Sequence, residues 1–220
     1  MVNWQEIDTV LLDMDGTLLD LYFDDQFWQV CIPRAWATKN GIDETQAKEE
    51  LKPIFMFTEA SLNWYCLDFW SKQLQLNVYE LATEITDLVQ LRPHVEEFLT
   101  YLGNIDKKIV LVTNSHEKFI DLKMGLTGID RYFHYMFNAH DFGHPKEEQE
   151  FWEILGQRLD YDRESTLLID DNHTVLRSAK KFGIRHLLSI RQPNSQKGPR
   201  DTEEFEGVDS YLDLTVSDTA

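Results

Sequence analysis

Residues 7–19 read Ile7-Asp8-Thr9-Val10-Leu11-Leu12-Asp13-Met14-Asp15-Gly16-Thr17-Leu18-Leu19. Val10, Leu11 and Leu12 form an apolar run too short for a helix and apolar enough for a buried strand. The run stops on two carboxylates two residues apart, followed by Gly16, which turns the chain without a Cβ penalty. Aspartates at the carboxyl end of a parallel strand lie where α/β sheets bind ligands. Three later stretches repeat the pattern of an apolar strand that ends in polar residues. Residues 108–113 run into Thr113-Asn114-Ser115, and residues 166–170 end on Asp170-Asp171-Asn172. A weaker strand at 136–139 precedes His144-Pro145-Lys146, and a last strong strand spans 184–190.

Helices of roughly ten residues separate these strands: 94–103, 117–126, 147–159 and 175–182. That alternation predicts a Rossmann-like parallel sheet covered on both faces, an α/β fold. Between the first and second strands the pattern is helical throughout. Predicted helices occupy 24–40 (with Pro33 a kink), 44–57, 61–74 and 78–91. The block holds four of the six tryptophans and is expected to be a separate helical domain. The expected division is 1–19 and 91–220 for the sheet domain and 20–90 for the insert. Residues 191–207 read as a long polar loop, and Tyr211, Leu212 and Leu214 as the point where the acidic tail packs.

The 220 residues carry 21 Lys+Arg against 39 Asp+Glu, a net charge of −18, with 42% hydrophobic residues. Such a surface repels nucleic-acid backbone and anionic lipid, so no nucleic-acid polymer and no membrane partner is expected. No apolar run approaches the ~18 residues of a membrane span. With the first strand entered within about seven residues, no signal peptide is expected. Cys31 and Cys66 suit neither zinc nor a disulfide scaffold and are expected to be buried thiols. A cytoplasmic protein is the expectation.

Residues just past parallel strands converge on one edge. Here they supply Asp13 and Asp15, Thr113, Asn114 and Ser115, Lys146, and Asp170 with Asp171. Clustered carboxylates make a hard oxygen site for Mg²⁺. The hydroxyl, the N–H groups opening the next helix and the ammonium can take phosphate oxygens. In this order and spacing, Asp13-Met14-Asp15-Gly16-Thr17, Thr113-Asn114-Ser115, Lys146 and Ile169-Asp170-Asp171-Asn172 resemble the haloacid dehalogenase (HAD) superfamily. The helical insert sits where that family carries its C1 cap. The resemblance implies that Asp13 is the nucleophile and Asp15 the general acid and base. Thr113, Asn114 and Lys146 are implied to bind the phosphoryl group. Mg²⁺ is implied to be held by Asp13, the Asp15 backbone carbonyl and Asp171, with Asp170 behind them. Asp15 argues against the dehalogenase branch, because a leaving halide needs no proton.

Further stretches, among them Leu62-Asn63-Trp64-Tyr65-Cys66-Leu67-Asp68 and Phe142-Gly143-His144-Pro145-Lys146-Glu147, are similar to the family's nucleotidases. They imply a purine 5′-nucleotidase acting on GMP and IMP. A sugar-phosphate or phosphoglycolate phosphatase, a β-phosphoglucomutase-like phosphotransferase and a non-enzymatic binding module are the alternatives. Of the insert's aromatics, Phe23, Trp28 and Trp64 are the favoured contacts for a base. His116 is expected on a solvent-facing helical turn, His144 in loop packing, His173 at the surface and His94 at a helix start. Lys197 and Arg200 belong to the long loop, where a mobile surface role is the default.

Overall fold

The computed structural model describes residues 2–58 and 61–215. Six strands, β1 (Thr9–Leu12), β2 (Lys108–Thr113), β3 (Tyr135–Asn138), β4 (Thr166–Asp170), β5 (His186–Ile190) and β6 (Glu206–Val208), form one sheet in the order β3-β2-β1-β4-β5-β6. Every pairing is parallel. The strand order reverses direction beside β1, so a crevice opens outside the carboxyl ends of β1 and its neighbours.

Side-chain alternation explains why this sheet is covered on both faces. Val10, Leu12, Ile109, Leu111, Leu167 and Ile169 face one layer of helices through Phe98, Leu99, Leu102 and Met124. Leu11, Val110, Val112 and Leu168 face the other through Phe151, Trp152, Leu155, Val175 and Leu176. In register, Leu12 lies beside Leu111 on one side and Ile169 on the other. The Asp13 N–H continues the ladder to the Ile169 carbonyl at 3.1 Å. Asp13, Val112 and Asp170 therefore sit at one level of the sheet.

The described residues between 22 and 88 form a series of helices with short breaks and hold their own core of Phe23, Phe27, Ile32, Leu51, Leu67, Trp70, Leu74, Val78 and Ala82. Phe119, from the helix after β2, enters that core and joins it to the sheet. The first long helix is continuous over Tyr22–Asn40 but passes through a π turn, Phe27–Cys31, just before Pro33. The Ile32 N–H reaches back five residues to the Phe27 carbonyl, a widening upstream of a residue that has no N–H of its own. The last predicted helix of the block is shorter, Val78–Thr83 followed by a 3₁₀ turn at Thr86–Leu88. The two connections between block and sheet run side by side. The Asp20 N–H donates to the Gln90 carbonyl and the Arg92 N–H to the Leu18 carbonyl, both at 2.9 Å.

Several expectations are corrected. The loop at 191–207 is pinned: Asn194 Nδ2 and Lys197 Nζ both reach Asp25 Oδ2 at 2.5 Å, and the loop ends in β6. Tyr211 and Leu214 are buried, whereas Leu212 points outward. Both cysteines are free but only half-buried, and Cys66 caps the helix Leu67–Leu74 through its sulfur. His116 is buried, and it caps the helix Glu117–Thr127. No helix among the described residues is long and apolar enough to cross a membrane.

Candidate active site

The carboxyl edge of the sheet gathers the residues that the sequence singles out. Lys146 is fully buried, and its ammonium lies 2.6 Å from Asp13 Oδ1, 2.7 Å from Asp170 Oδ2 and 3.1 Å from the Val112 carbonyl. Its three donors are thus all used, as burial of an ammonium requires. Around it stand Asp13, Asp170 and Asp171, each of which places one carboxylate oxygen within 4.8 Å of the others'. Burial, reinforced by Asp170 and Asp171 and opposed by Lys146, holds the Asp13 carboxyl well above its usual range. Asp171 is pushed up to about 7, by burial first and by Asp170 second. Burial comes first for both groups, and the surplus negative charge of three carboxylates around Lys146 adds to it. A hard divalent cation with oxygen ligands fits this donor set and would remove the surplus.

Asp170 and Asp171 differ in what they touch. Asp170 also accepts the Asn172 N–H at 2.9 Å, so both its oxygens are engaged. Among the described residues, Asp171 takes its hydrogen bonds from Arg200, whose guanidinium donates to its carbonyl and lies 3.5 Å from Oδ2. Gly16, at φ +81°, packs directly on the Asp171 carboxylate. Opposite, Thr113 Oγ1 accepts the Ser115 N–H at 3.1 Å. Asn114 is occupied at both ends, accepting the Lys146 N–H at 2.8 Å and donating to Glu147 Oε2 at 2.9 Å. It therefore fixes the loop that carries Lys146. Glu147 Oε1 in turn accepts the hydroxyl of Tyr65 at 2.7 Å, from the helical block. Burial and that carboxylate hold the Tyr65 hydroxyl far above its ordinary range.

A cleft of about 1070 Å³ runs from this edge toward the helical block. Its inner end is lined by Asp13, Asp15, Thr113, Lys146, Asp171 and Arg200, its outer end by Trp28, Phe55, Met56 and Trp64. Phe23 does not line it; the ring is buried and stacked on Phe27, while Phe55 takes a place on the wall. Trp28 and Trp64 stack at 6.3 Å between ring centres, with Phe55 edge-on to both. A flat ligand inserted between two rings needs about 7 Å, so a base can lie only against the face of this wall.

Sequence reasoning missed Lys123 and Asp24. Lys123 is 1% exposed and sits between Asp15 and Asp24. The signal was present: Phe119, Ile120 and Met124 mark the inward face of helix Glu117–Thr127, and Lys123 lies on that same face. His173 touches Ser189 Oγ at 3.0 Å and Glu203 at 3.3 Å, at the rim of the cleft. His144 is bonded to Glu148 at 2.6 Å on the loop bearing Lys146. His94 stands before the helix Val95–Asn104 with φ +65°.

Comparison with known proteins gives the same answer as the geometry. Residues 10–188 match the family model of the haloacid dehalogenase-like hydrolases. A GMP/IMP nucleotidase of Escherichia coli is 38% identical over 216 residues, covering 98% of this chain and 97% of its own. A pyrophosphatase of Oceanobacillus iheyensis is 24% identical over 197 residues, 81% of each chain. Among solved structures, a HAD phosphatase from Thermococcus onnurineus superposes with a TM-score of 0.79 at 22% identity, covering 94% of this chain and 96% of that one. With its sheet order, its helical insert after β1 and a sequence match over most of its length, the chain belongs to the haloacid dehalogenase-like hydrolase family.

Proposed function

We propose that the protein is a Mg²⁺-dependent phosphomonoester hydrolase that works through phosphorylated Asp13 and favours purine nucleoside 5′-monophosphates, GMP and IMP. The observation that carries the chemistry is the buried contact of Lys146 with both Asp13 and Asp170, beside Asp171. A binding module would have no use for a desolvated carboxylate held so close to an ammonium at the inner end of a cleft.

Asp13, the Asp15 backbone carbonyl and Asp171 would hold the cation, with Asp170 behind. When bound, it supplies positive charge to the phosphate and keeps the Asp13 carboxyl ionised despite burial. An Asp13 oxygen attacks phosphorus, and the bond from phosphorus to the leaving oxygen breaks with its electron pair on that oxygen. Asp15 donates the proton that turns this alkoxide into an alcohol. Water then attacks the phosphorus, Asp15 takes its proton, and Asp13 leaves as a carboxylate with inorganic phosphate released. Lys146 balances charge on Asp13 and the transferring group, and Thr113 Oγ1 and the adjacent N–H groups receive phosphate oxygens. Asn114 serves by fixing the Lys146 loop.

The aromatic wall of Trp28, Phe55 and Trp64 offers an apolar, stackable face about the cleft's outer end. That surface, together with the nucleotidase relative, favours a nucleobase over a sugar or a small acid. Two measurements test the reading. Asp13→Asn is expected to retain its fold and to lose phosphate release entirely; unchanged turnover would remove Asp13 from the reaction. Across a panel of phosphomonoesters with Mg²⁺, kcat/KM should be highest for purine nucleotides, and a sugar phosphate above GMP would overturn that preference.

A further inference from the structure

Lys123 is a lysine in an unusual place. Its Nζ lies 2.6 Å from Asp15 Oδ1 and 2.9 and 3.0 Å from the two oxygens of Asp24. The faces of Phe23 and Phe119 close over it at 4.8 and 5.1 Å. Removing an ammonium from water costs several kcal/mol unless each donor finds an acceptor. Here the acceptors come from two other segments. Asp15 belongs to the loop after β1, and Asp24 to the first turn of the helical block. Lys123 itself comes from the helix that begins just past Thr113-Asn114-Ser115. The ammonium therefore ties the loop, the block and that helix at one point.

On the reading that Asp15 is the general acid and base, we propose that Lys123 is the residue that positions it. Asp24 is the helical block's half of the same clamp. The ammonium holds Oδ1 of Asp15, and among the described residues Oδ2 makes no hydrogen bond, so one oxygen is fixed and the other is left to exchange a proton. Asp24 grips Lys123 through both oxygens, which fixes the direction of the ammonium and ties the acid's position to the placement of the block over the cleft. Lys123 touches neither phosphate nor leaving group. It acts through Asp15, in the transfer of one proton to the leaving oxygen and of one proton from water in the second half-reaction.

A bare structural ion pair and a positioning clamp differ in their dependence on the leaving group. A nucleoside alkoxide needs the proton, whereas p-nitrophenolate leaves without one. Because kcat/KM covers the steps up to departure of the leaving group, it isolates the first transfer. In Lys123→Met, kcat/KM for GMP is expected to fall about 100-fold or more, through kcat with KM unchanged. For p-nitrophenyl phosphate, kcat/KM stays near wild type. The first turnover releases a burst of p-nitrophenolate, since water activation by Asp15 is slowed. Asp24→Asn keeps the shape of the site and should shift the ratio between the two substrates in the same direction by less. An equal fall on both substrates, or an unchanged ratio, overturns the clamp. If Lys123→Met does not fold, the ratio in Asp24→Asn decides alone. Asp13→Asn, inert on both substrates, separates the outcomes: turnover by that variant sinks the nucleophile reading, whereas an inert Asp13→Asn beside an unchanged ratio sinks only the clamp.

Discussion

Gly16→Ala tests where Asp171 must stand. A Cβ at position 16 would lie 2.7 Å from Asp171 Cγ and 2.8 Å from its Oδ2. The carboxyl carbon would have to retreat by about 0.7 Å to regain an ordinary contact. Asp171 is a short side chain, mostly buried and flanked by Asp170 and Arg200, so retreat takes it off its present position relative to Asp13. The backbone adds its own cost, because φ at Gly16 is +81° and an L residue there loses about 1–2 kcal/mol. For a chain of this size, that lowers Tm by roughly 2–8 °C. Displacement of a ligand carboxylate is expected to raise the half-saturating Mg²⁺ concentration by about 10–100-fold. The assay is phosphate release titrated with Mg²⁺, together with calorimetric melting of the same samples. A double-mutant cycle completes it: in the Asp171→Ala background the clash disappears, so only the backbone cost of Gly16→Ala should remain. A Gly16→Ala enzyme with wild-type Mg²⁺ dependence would refute the assignment of Asp171 to the cation, whatever its Tm.

Two further perturbations address the charge and the wall. Lys146→Met leaves Asp13 and Asp170 buried without their ammonium, a loss of about 3–5 kcal/mol near pH 8. The folded carboxyls already lie above their ordinary range and rise further in the variant. Their contribution is therefore retained below the unfolded pKa of about 4 and lost as pH climbs through the folded values. Melting in the presence of EDTA should show the variant nearest to wild type at pH 5 and furthest from it at pH 8; the opposite trend would refute the charge argument. Trp64→Leu removes one ring of the wall and should raise KM for GMP by roughly 5–160-fold, the equivalent of 1–3 kcal/mol of base stacking, while leaving p-nitrophenyl phosphate unchanged. Equal effects on the two substrates would remove the wall from base recognition.

The strands with chemistry at their ends were readable because each is an apolar run that stops on polar residues. Val10-Leu11-Leu12 before Asp13 and Leu167-Leu168-Ile169 before Asp170 are the plainest cases. Lys146 was readable by its place after β3 although that strand is weak. β6 was not, since Glu206-Gly207-Val208 offers no apolar run and pairs only because β5 presents its edge. Which aromatics face the cleft was not readable either. Phe23 and Phe55 are equally apolar, and only the packing of the helices on one another buries the first and places the second on the wall. His116 looked like a solvent-facing first turn, yet His140 lies edge-on against it at 5.0 Å. That contact spans residues distant in sequence, and local pattern cannot report it. Lys123 is the opposite case, a charged residue on the apolar face of its helix, which sequence alone could have marked.

The two lysines explain how one loop can present two aspartates suited to the different tasks proposed for them. Asp13 shares Lys146 with Asp170 and has Asp171 beside it, so its surroundings hold more negative charge than the ammonium balances. A cation placed there would bring Asp13 to the ionised form that a nucleophile needs. Asp15, two residues on, turns to a different ammonium, whose other partner is Asp24 from the helical block; burial and Asp15 push Asp24 up to about 7. Separate counter-charges keep the two carboxylates from acting as one shared site, as closely paired acids do when they hold a single proton between them. The separation depends on the turn at Gly16 and on the helix after β2 reaching inward with Lys123. The division of labour proposed for Asp13 and Asp15 therefore draws on two lysines more than a hundred positions away in the chain.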